Sequence, residues 1–295
     1  MIDHDPKKFR CFLLLVLPQG SRTLTDRLLA MFIQSPPFQN PLKTIPLAQC
    51  LLAGLLMFFA FSPDNFGATV TEDHPLRVLI ITGGHDFERA PFFAMFQAMP
   101  GIQWTEAVQP SANDLYRSNE AAKYDVIVLY DFVQEIAEVQ KQNLVRLLRE
   151  EGKGLVGLHH CIGDYQDWPE FRRILGGRYY LSNQREDGIE YQPGEFLHDQ
   201  TFTVQIALRT HPITEGLKDF EIDDETYKGF YVNPGLTELL RVNYPKSNPV
   251  IGWEHEYGKA RVGYIQLGHG PAAYANASYR RLVENAIYWA GRRKR

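Results

Sequence analysis

Four short apolar runs between residues 77 and 158 constrain this chain more than any other feature. Arg77–Ile81 (RVLII), Ile102–Val108 (IQWTEAV), Tyr124–Tyr130 (YDVIVLY) and Gly154–Leu158 (GLVGL) each read as a strand. The runs that are continuously apolar imply cover on both faces. Helices fill two of the intervals. Ala90–Met99 carries Pro91 in its first turn and stops at Pro100-Gly101. Glu135–Glu151 places Ile136, Val139, Leu144, Leu147 and Leu148 on one face, with acidic residues at its start and Arg146 and Arg149 near its end. Strand–helix alternation in this order predicts an α/β fold with a doubly wound, mostly parallel sheet.

After Pro169 the pattern changes to additional C-terminal β strands, expected at Thr201–Leu208, Glu238–Val242, Pro249–Glu256 and Ala260–Leu267. Gly258-Lys259 marks a hairpin between the last two. Along the third of these, Trp253 and His255 should share one face and Glu254 the other. Ser278–Ala290 closes the chain as a helix, with Leu282, Ala286 and Trp289 as its buried stripe. No internal repeat interrupts residues 69–295, which read as one domain.

The first 68 residues are of another kind. Ile45–Phe61 (IPLAQCLLAGLLMFFAF) carries no charge, follows Lys43 and is followed by small and polar residues, the pattern of a signal peptide for export to a periplasm or the exterior. Membrane anchoring through residues 45–61, or a buried hydrophobic helix, is the alternative. These 68 residues hold 6 basic and 4 acidic side chains, which leaves 25 against 31 and a formal charge of −6 for the body. An acidic body lacks the electrostatic footprint of a nucleic-acid binder. The three cysteines, Cys11, Cys50 and Cys161, give no disulfide framework and no CxxC metal knuckle. Nothing in the sequence fixes the oligomeric state, so a homo-oligomer stays open.

Ligands of open parallel sheets bind outside the carboxyl ends of the strands. That rule selects the loop after the first strand, Gly83-Gly84-His85-Asp86, and the loop after the fourth, His159-His160-Cys161. Their side chains suit metal binding, acid–base work or hydrogen bonds to hydroxyls; otherwise His85 and Asp86 cap the next helix and His160 packs. Asp223-Asp224-Glu225-Thr226-Tyr227 adds an acidic cluster ending in an aromatic, at an expected strand end, with a solvated face as the plain alternative. Leu267-Gly268-His269-Gly270 leaves the last strand with glycines that allow close approach. A GxSxG elbow, a Walker loop, an HExxH helix and a dinucleotide fingerprint are all absent from the sequence.

Taken in order, VLIITGGHDF (78–87), GLVGLHH (154–160), THPIT (210–214), DDETY (223–227) and VIGWEHEYGKARVGYIQLGH (250–269) resemble the ThuA-like family, named for trehalose utilisation. The resemblance covers residues 76–292 and implies a flavodoxin-like, class I glutamine amidotransferase-like fold. Amidotransferases of that fold carry a nucleophilic cysteine in a Gly-x-Cys turn; here Gly157-Leu158-His159 puts histidine in that place, and Cys161 lies two residues on. No glutaminase activity is therefore expected.

The family is associated with catabolism of disaccharides or glycosides oxidised at the 3-position, which implies a small carbohydrate as the partner. The proton beside such a carbonyl is acidified, so a base and a carbonyl-polarising group would permit elimination or isomerisation. On this resemblance His85 and His159 supply the base and the carbonyl-polarising group, directly or around a divalent metal, and Asp86 and Glu225 orient them or bind hydroxyls. Trp168, Asp224, Tyr227, His160 and His269 are the expected substrate contacts. A divalent metal such as zinc would draw on His85, His159 and His269. The rival readings are a non-catalytic sugar-binding or scaffold protein on the same fold, and a hydrolase of another substrate.

Overall fold

The computed structural model describes residues 74–295; the segment read as an export signal or anchor lies outside the described residues. The first half of the chain alternates as expected: β1 (Leu76–Gly83), α1 (Arg89–Gln97), β2 (Ile102–Val108), α2 (Asp114–Ser118), β3 (Val126–Asp131), α3 (Glu138–Arg149), β4 (Gly154–Leu158) and α4 (Pro169–Leu175). The second half is rich in strands: β5 (Gly177–Arg178), β6 (Gln184–Glu186), β7 (Ile189–Tyr191), β8 (Glu195–Ile206), β9 (Phe220–Lys228), β10 (Tyr231–Val232), β11 (Thr237–Val242), β12 (Val250–Tyr257) and β13 (Ala260–Ile265). Two helices, α5 (Pro271–Ala275) and α6 (Ala277–Ala290), end it. Among the described residues no helix is long and apolar enough to cross a membrane.

Nine strands form the central sheet in the order β2-β1-β3-β4-β13-β12-β11-β8-β9. The first five are parallel, with Val78 beside Val126 and Leu129 beside Gly157; from β12 onward the pairing is antiparallel. Period-two alternation divides the apolar runs between two cores. Val78, Ile80, Val126, Val128 and Leu158 meet Phe92 and Phe96 of α1 and Leu282 and Ile287 of α6. Leu79, Ile81, Ile127, Leu129 and Leu155 meet Leu144 and Leu148 of α3 and Phe171 and Ile174 of α4. Both faces are covered, so the predicted doubly wound α/β layering is the observed one.

Along β12, Trp253 Nε1 and His255 Nε2 both reach α4 carbonyls, at Leu175 (2.9 Å) and Ile174 (3.0 Å), while Glu254 lies near His211. This is the alternation expected. Three boundaries differ. Val139, grouped with the buried face of α3, is 44 % exposed, because in the shorter helix it sits in the first turn, ahead of the Leu144–Leu148 stripe. The strand expected at Thr201–Leu208 runs instead from Glu195 to Ile206, since its polar first half pairs with β9 rather than with a core strand. The acidic cluster lies inside β9 itself.

Candidate functional site

Three loops converge at the carboxyl ends of the parallel strands. In the loop after β1, Gly84 has φ +79° and a Cβ there would overlap the Phe132 carbonyl, so only glycine lets this loop pass the end of β3. His85 follows at once. Its Nδ1 lies 2.7 Å from the Asp86 carbonyl. A carbonyl only accepts, so Nδ1 carries the proton and Nε2 keeps a free lone pair.

After β4 the chain turns sharply into one turn of 3-10 helix, His159–Gly163, with His159 at φ +52°. A left-handed non-glycine residue at a strand-to-helix turn is strained and held there by its surroundings. His159 is fully buried. Its Nδ1 donates to the Gln266 carbonyl (2.8 Å), and its Nε2 faces Tyr227 Oη (2.9 Å), Glu225 Oε2 (3.0 Å) and His269 Nδ1 (3.1 Å). His269 comes from the loop after β13, and its Nδ1 is 3.3 Å from the same Glu225 oxygen.

Period two places Glu225 and Tyr227 on one face of β9 and Asp224 on the other. Asp224 accepts from the backbone N–H groups of Gly268 (2.7 Å), His269 (2.9 Å) and Glu225 (2.8 Å), so it pins two site segments without entering the cavity. Burial alone would raise the Glu225 carboxyl, but hydrogen bonds from His159 and His269 outweigh it and hold the group ionised well below the usual range. The Glu225 hydrogen bond raises His269 in turn.

A β-bulge supplies a further imidazole. Leu197 pairs with Thr226 and Gln200 with Asp224, so His198 and Asp199 together oppose the single residue Glu225, with Asp199 at φ +55°. The extra residue reverses the alternation of β8. Phe202, Val204 and Ile206 face the core, whereas Phe196 and His198 face the site. His198 Nδ1 lies 3.1 Å from Glu225 Oε1.

Above these groups opens a cavity of about 410 Å³ lined by His85, His160, His198, Glu225 and Tyr227, with walls of Phe132, Tyr179, Tyr180, Leu181 and Phe196. His160 is 5 % exposed and stacks near Tyr130 and His85, with ring centroids 4.6 Å away in each case. Neither of its ring nitrogens has a hydrogen-bond partner. Burial pushes His160 well below the ordinary histidine range, and burial lowers His85 in the same direction, so both imidazoles are neutral near pH 7.

Residues 77–290 match the ThuA family, described as trehalose utilisation. The chain belongs to this family. No curated protein matches the sequence. Among solved structures, it is similar to a ThuA-like protein of Parabacteroides merdae (17 % identity, TM-score 0.63, covering 74 % of this chain and 90 % of that one). A ThuA-like protein of Bacteroides uniformis gives 21 % identity and a TM-score of 0.54, covering 78 % and 95 %. A cytoplasmic protein of Salmonella typhimurium gives 11 % and 0.53, covering 72 % and 99 %. At these identities the likeness is one of fold.

In this ThuA-family chain, six residues expected at the site do meet there: His85, His159, His160, Glu225, Tyr227 and His269. Four expectations are corrected, the first being Asp224, which was expected to contact the substrate but gives its carboxylate to backbone N–H groups outside the cavity. Asp86 is exposed and turns into a separate depression beside Phe87 and Arg89; nor does it or His85 cap α1, whose N-cap is Glu88. Trp168 packs against Phe171 and Tyr165 and does not line the cavity, because the chain after the His159 turn carries it under α4. His159, expected as a base, is buried with both nitrogens engaged. Cys161 packs fully buried beneath Gly157 in the opposite core, with burial raising its thiol well above the ordinary range, so it offers no nucleophile. His198 escaped the sequence reading, since only the bulge turns it inward.

Proposed function

We propose that this ThuA-family protein acts on a 3-keto sugar or glycoside by imidazole–carboxylate acid–base chemistry, without glutaminase activity. The observation that carries this reading is the free Nε2 lone pair of neutral His85 in a cavity whose floor holds an ionised carboxylate and further imidazoles. His85 takes the proton from the carbon beside the carbonyl, and the electron pair moves onto the carbonyl oxygen. An imidazole N–H at the cavity wall hydrogen-bonds to that oxygen as charge develops. The resulting enediolate either regains a proton at the neighbouring carbon, which is isomerisation, or expels the glycosidic oxygen, which leaves with a proton. Neither route requires an oxidant. Phe196, 56 % exposed, and Tyr179 offer faces on which a sugar ring can stack.

The test is turnover of 3-keto disaccharides and 3-keto glycosides by the wild type and by His85→Ala, with ligand affinity measured in parallel. Turnover abolished in the variant at nearly unchanged affinity supports the reading. Binding without turnover by the wild type replaces it with a non-catalytic sugar-binding protein.

A further inference from the structure

We propose that His159 Nε2, Glu225 Oε2 and His269 Nδ1 form a divalent-cation site, of the kind that binds zinc, at the floor of the cavity. The three donor atoms form a triangle with edges of 3.0, 3.1 and 3.3 Å. Three ligands about 2.0–2.2 Å from a zinc ion stand roughly 2.9–3.5 Å apart, depending on the angle between the bonds. The triangle has the right size without any rearrangement.

The direction of the donor atoms also suits a cation. His159 Nδ1 donates to a carbonyl, so in the neutral ring Nε2 presents a lone pair. That lone pair faces the Tyr227 hydroxyl, a carboxylate oxygen and another ring nitrogen in a nearly dry setting, where His159 is fully buried and Glu225 is 4 % exposed. A divalent cation takes all three donors together.

The surroundings are those that metal ligands need. A metal-bound histidine almost always donates its other N–H to a carbonyl or carboxylate, as His159 does to Gln266. Asp224 fixes the backbone of both Glu225 and His269, and His198 Nδ1 holds the second Glu225 oxygen at 3.1 Å. Two imidazoles, one carboxylate and an open side match catalytic zinc centres, with iron(II) the other cation that uses this donor set. His85, expected among the ligands from the sequence, stays outside: its ring centroid is 6.0 Å from that of His269 and its Nδ1 is engaged by Asp86. Binding of the cation stands on this geometry alone; its polarising a sugar carbonyl rests on the function proposed above.

The experiment uses the full chain, treated with a chelator and dialysed, then titrated with Co²⁺ followed by visible absorption and with Zn²⁺ by calorimetry. The expected result is saturation at about one equivalent, weakened more than about 100-fold in Glu225→Gln and His269→Ala, and roughly 10-fold in His198→Ala, which alters only the support of a ligand. His85→Ala should bind within about threefold of the wild type, since it removes no ligand. Circular dichroism shows that each variant is folded. Absence of saturable binding by folded wild type, or binding that Glu225→Gln and His269→Ala leave unchanged, overturns the site. Undiminished sugar turnover by the stripped protein removes the cation's role in catalysis and leaves the acid–base reading standing. Cation binding without turnover does the reverse.

Discussion

His159 and Glu225, 66 positions apart in the chain, meet with Nε2 and Oε2 at 3.0 Å, both withdrawn from solvent. The contact joins the strained turn after β4 to the inner face of β9, so the parallel half of the sheet and its antiparallel extension share one site. Glu225→Gln keeps the shape and removes the charge that His159, His198 and His269 all approach. Turnover should fall by about 10²-fold or more while the circular dichroism spectrum is retained. Steady-state kinetics on the purified variant check this.

Stability should decline as pH rises through neutrality, for a reason that lies beside the cavity. Asp131 at the end of β3 and Asp164 after the His159 turn are both fully buried and their side chains interact, while Asp131 Oδ1 and Asp164 Oδ2 are reached by no N–H donor. Two carboxylates so placed must share a proton. Burial raises Asp131 to about 7 and raises Asp164 well above its ordinary range. Because the folded values are raised, the stabilisation is complete below the unfolded carboxyl range and is lost as pH rises through about 7. Thermal unfolding should show a melting temperature lower by more than about 5 °C at pH 8 than at pH 5. In Asp131→Asn, whose amide can donate to Asp164 without ionising, roughly half of that drop or more should vanish.

The bulge in β8 sets which way His198 points. Deleting Asp199 removes the bulge but leaves three steps from His198 and five from Phe196 to Phe202, so simple alternation still holds both on the site face, opposite Phe202 and Val204. The deletion should keep most of the activity while costing stability, since it draws the chain ahead of β8 along by one residue. Asp199→Gly keeps the bulge and relieves the φ of +55°, so it should match or exceed wild-type stability with activity intact. Paired denaturation curves and turnover assays separate the two variants.

Gly268 positions His269 from a backbone at φ +116°, and a Cβ there would overlap the Tyr279 hydroxyl. Gly268→Ala should destabilise by roughly 2–4 kcal/mol through overpacking and backbone strain together. Adding Tyr279→Phe removes the overlapping oxygen but leaves the φ unchanged, so the double variant should recover part of the loss and not all of it. Urea unfolding of the four members of this cycle measures the coupling. Strictly additive effects would contradict the overlap.

What could be read from the sequence follows the reach of local pattern. Continuous apolar runs such as VLII and VIVL show which strands are covered on both faces, the strand-end rule brings His85, His159 and His160 together, and the glycines flanking His269 add it to them. Glu225 and Tyr227 were legible as a cluster, but their place inside a strand was not, because DDET lacks the composition of one. His198 was hidden by a bulge that breaks period two. Trp168 was misplaced because the path of a loop is set by what it packs under, here Tyr165 and Phe171. The proton-sharing pair went unseen since Asp131 ends an apolar run and Asp164 lies 33 positions away.

The central claim is that this cavity removes a proton from the carbon beside a sugar carbonyl. Solvent deuterium exchange tests it directly, whether isomerisation or elimination follows. A 3-keto disaccharide incubated with the protein in D₂O, followed by proton NMR, should lose the signal of the hydrogen next to the ketone, or give product deuterated there. His85→Ala should show neither. Exchange by the wild type no faster than in buffer alone, with the sugar demonstrably bound, would contradict the account.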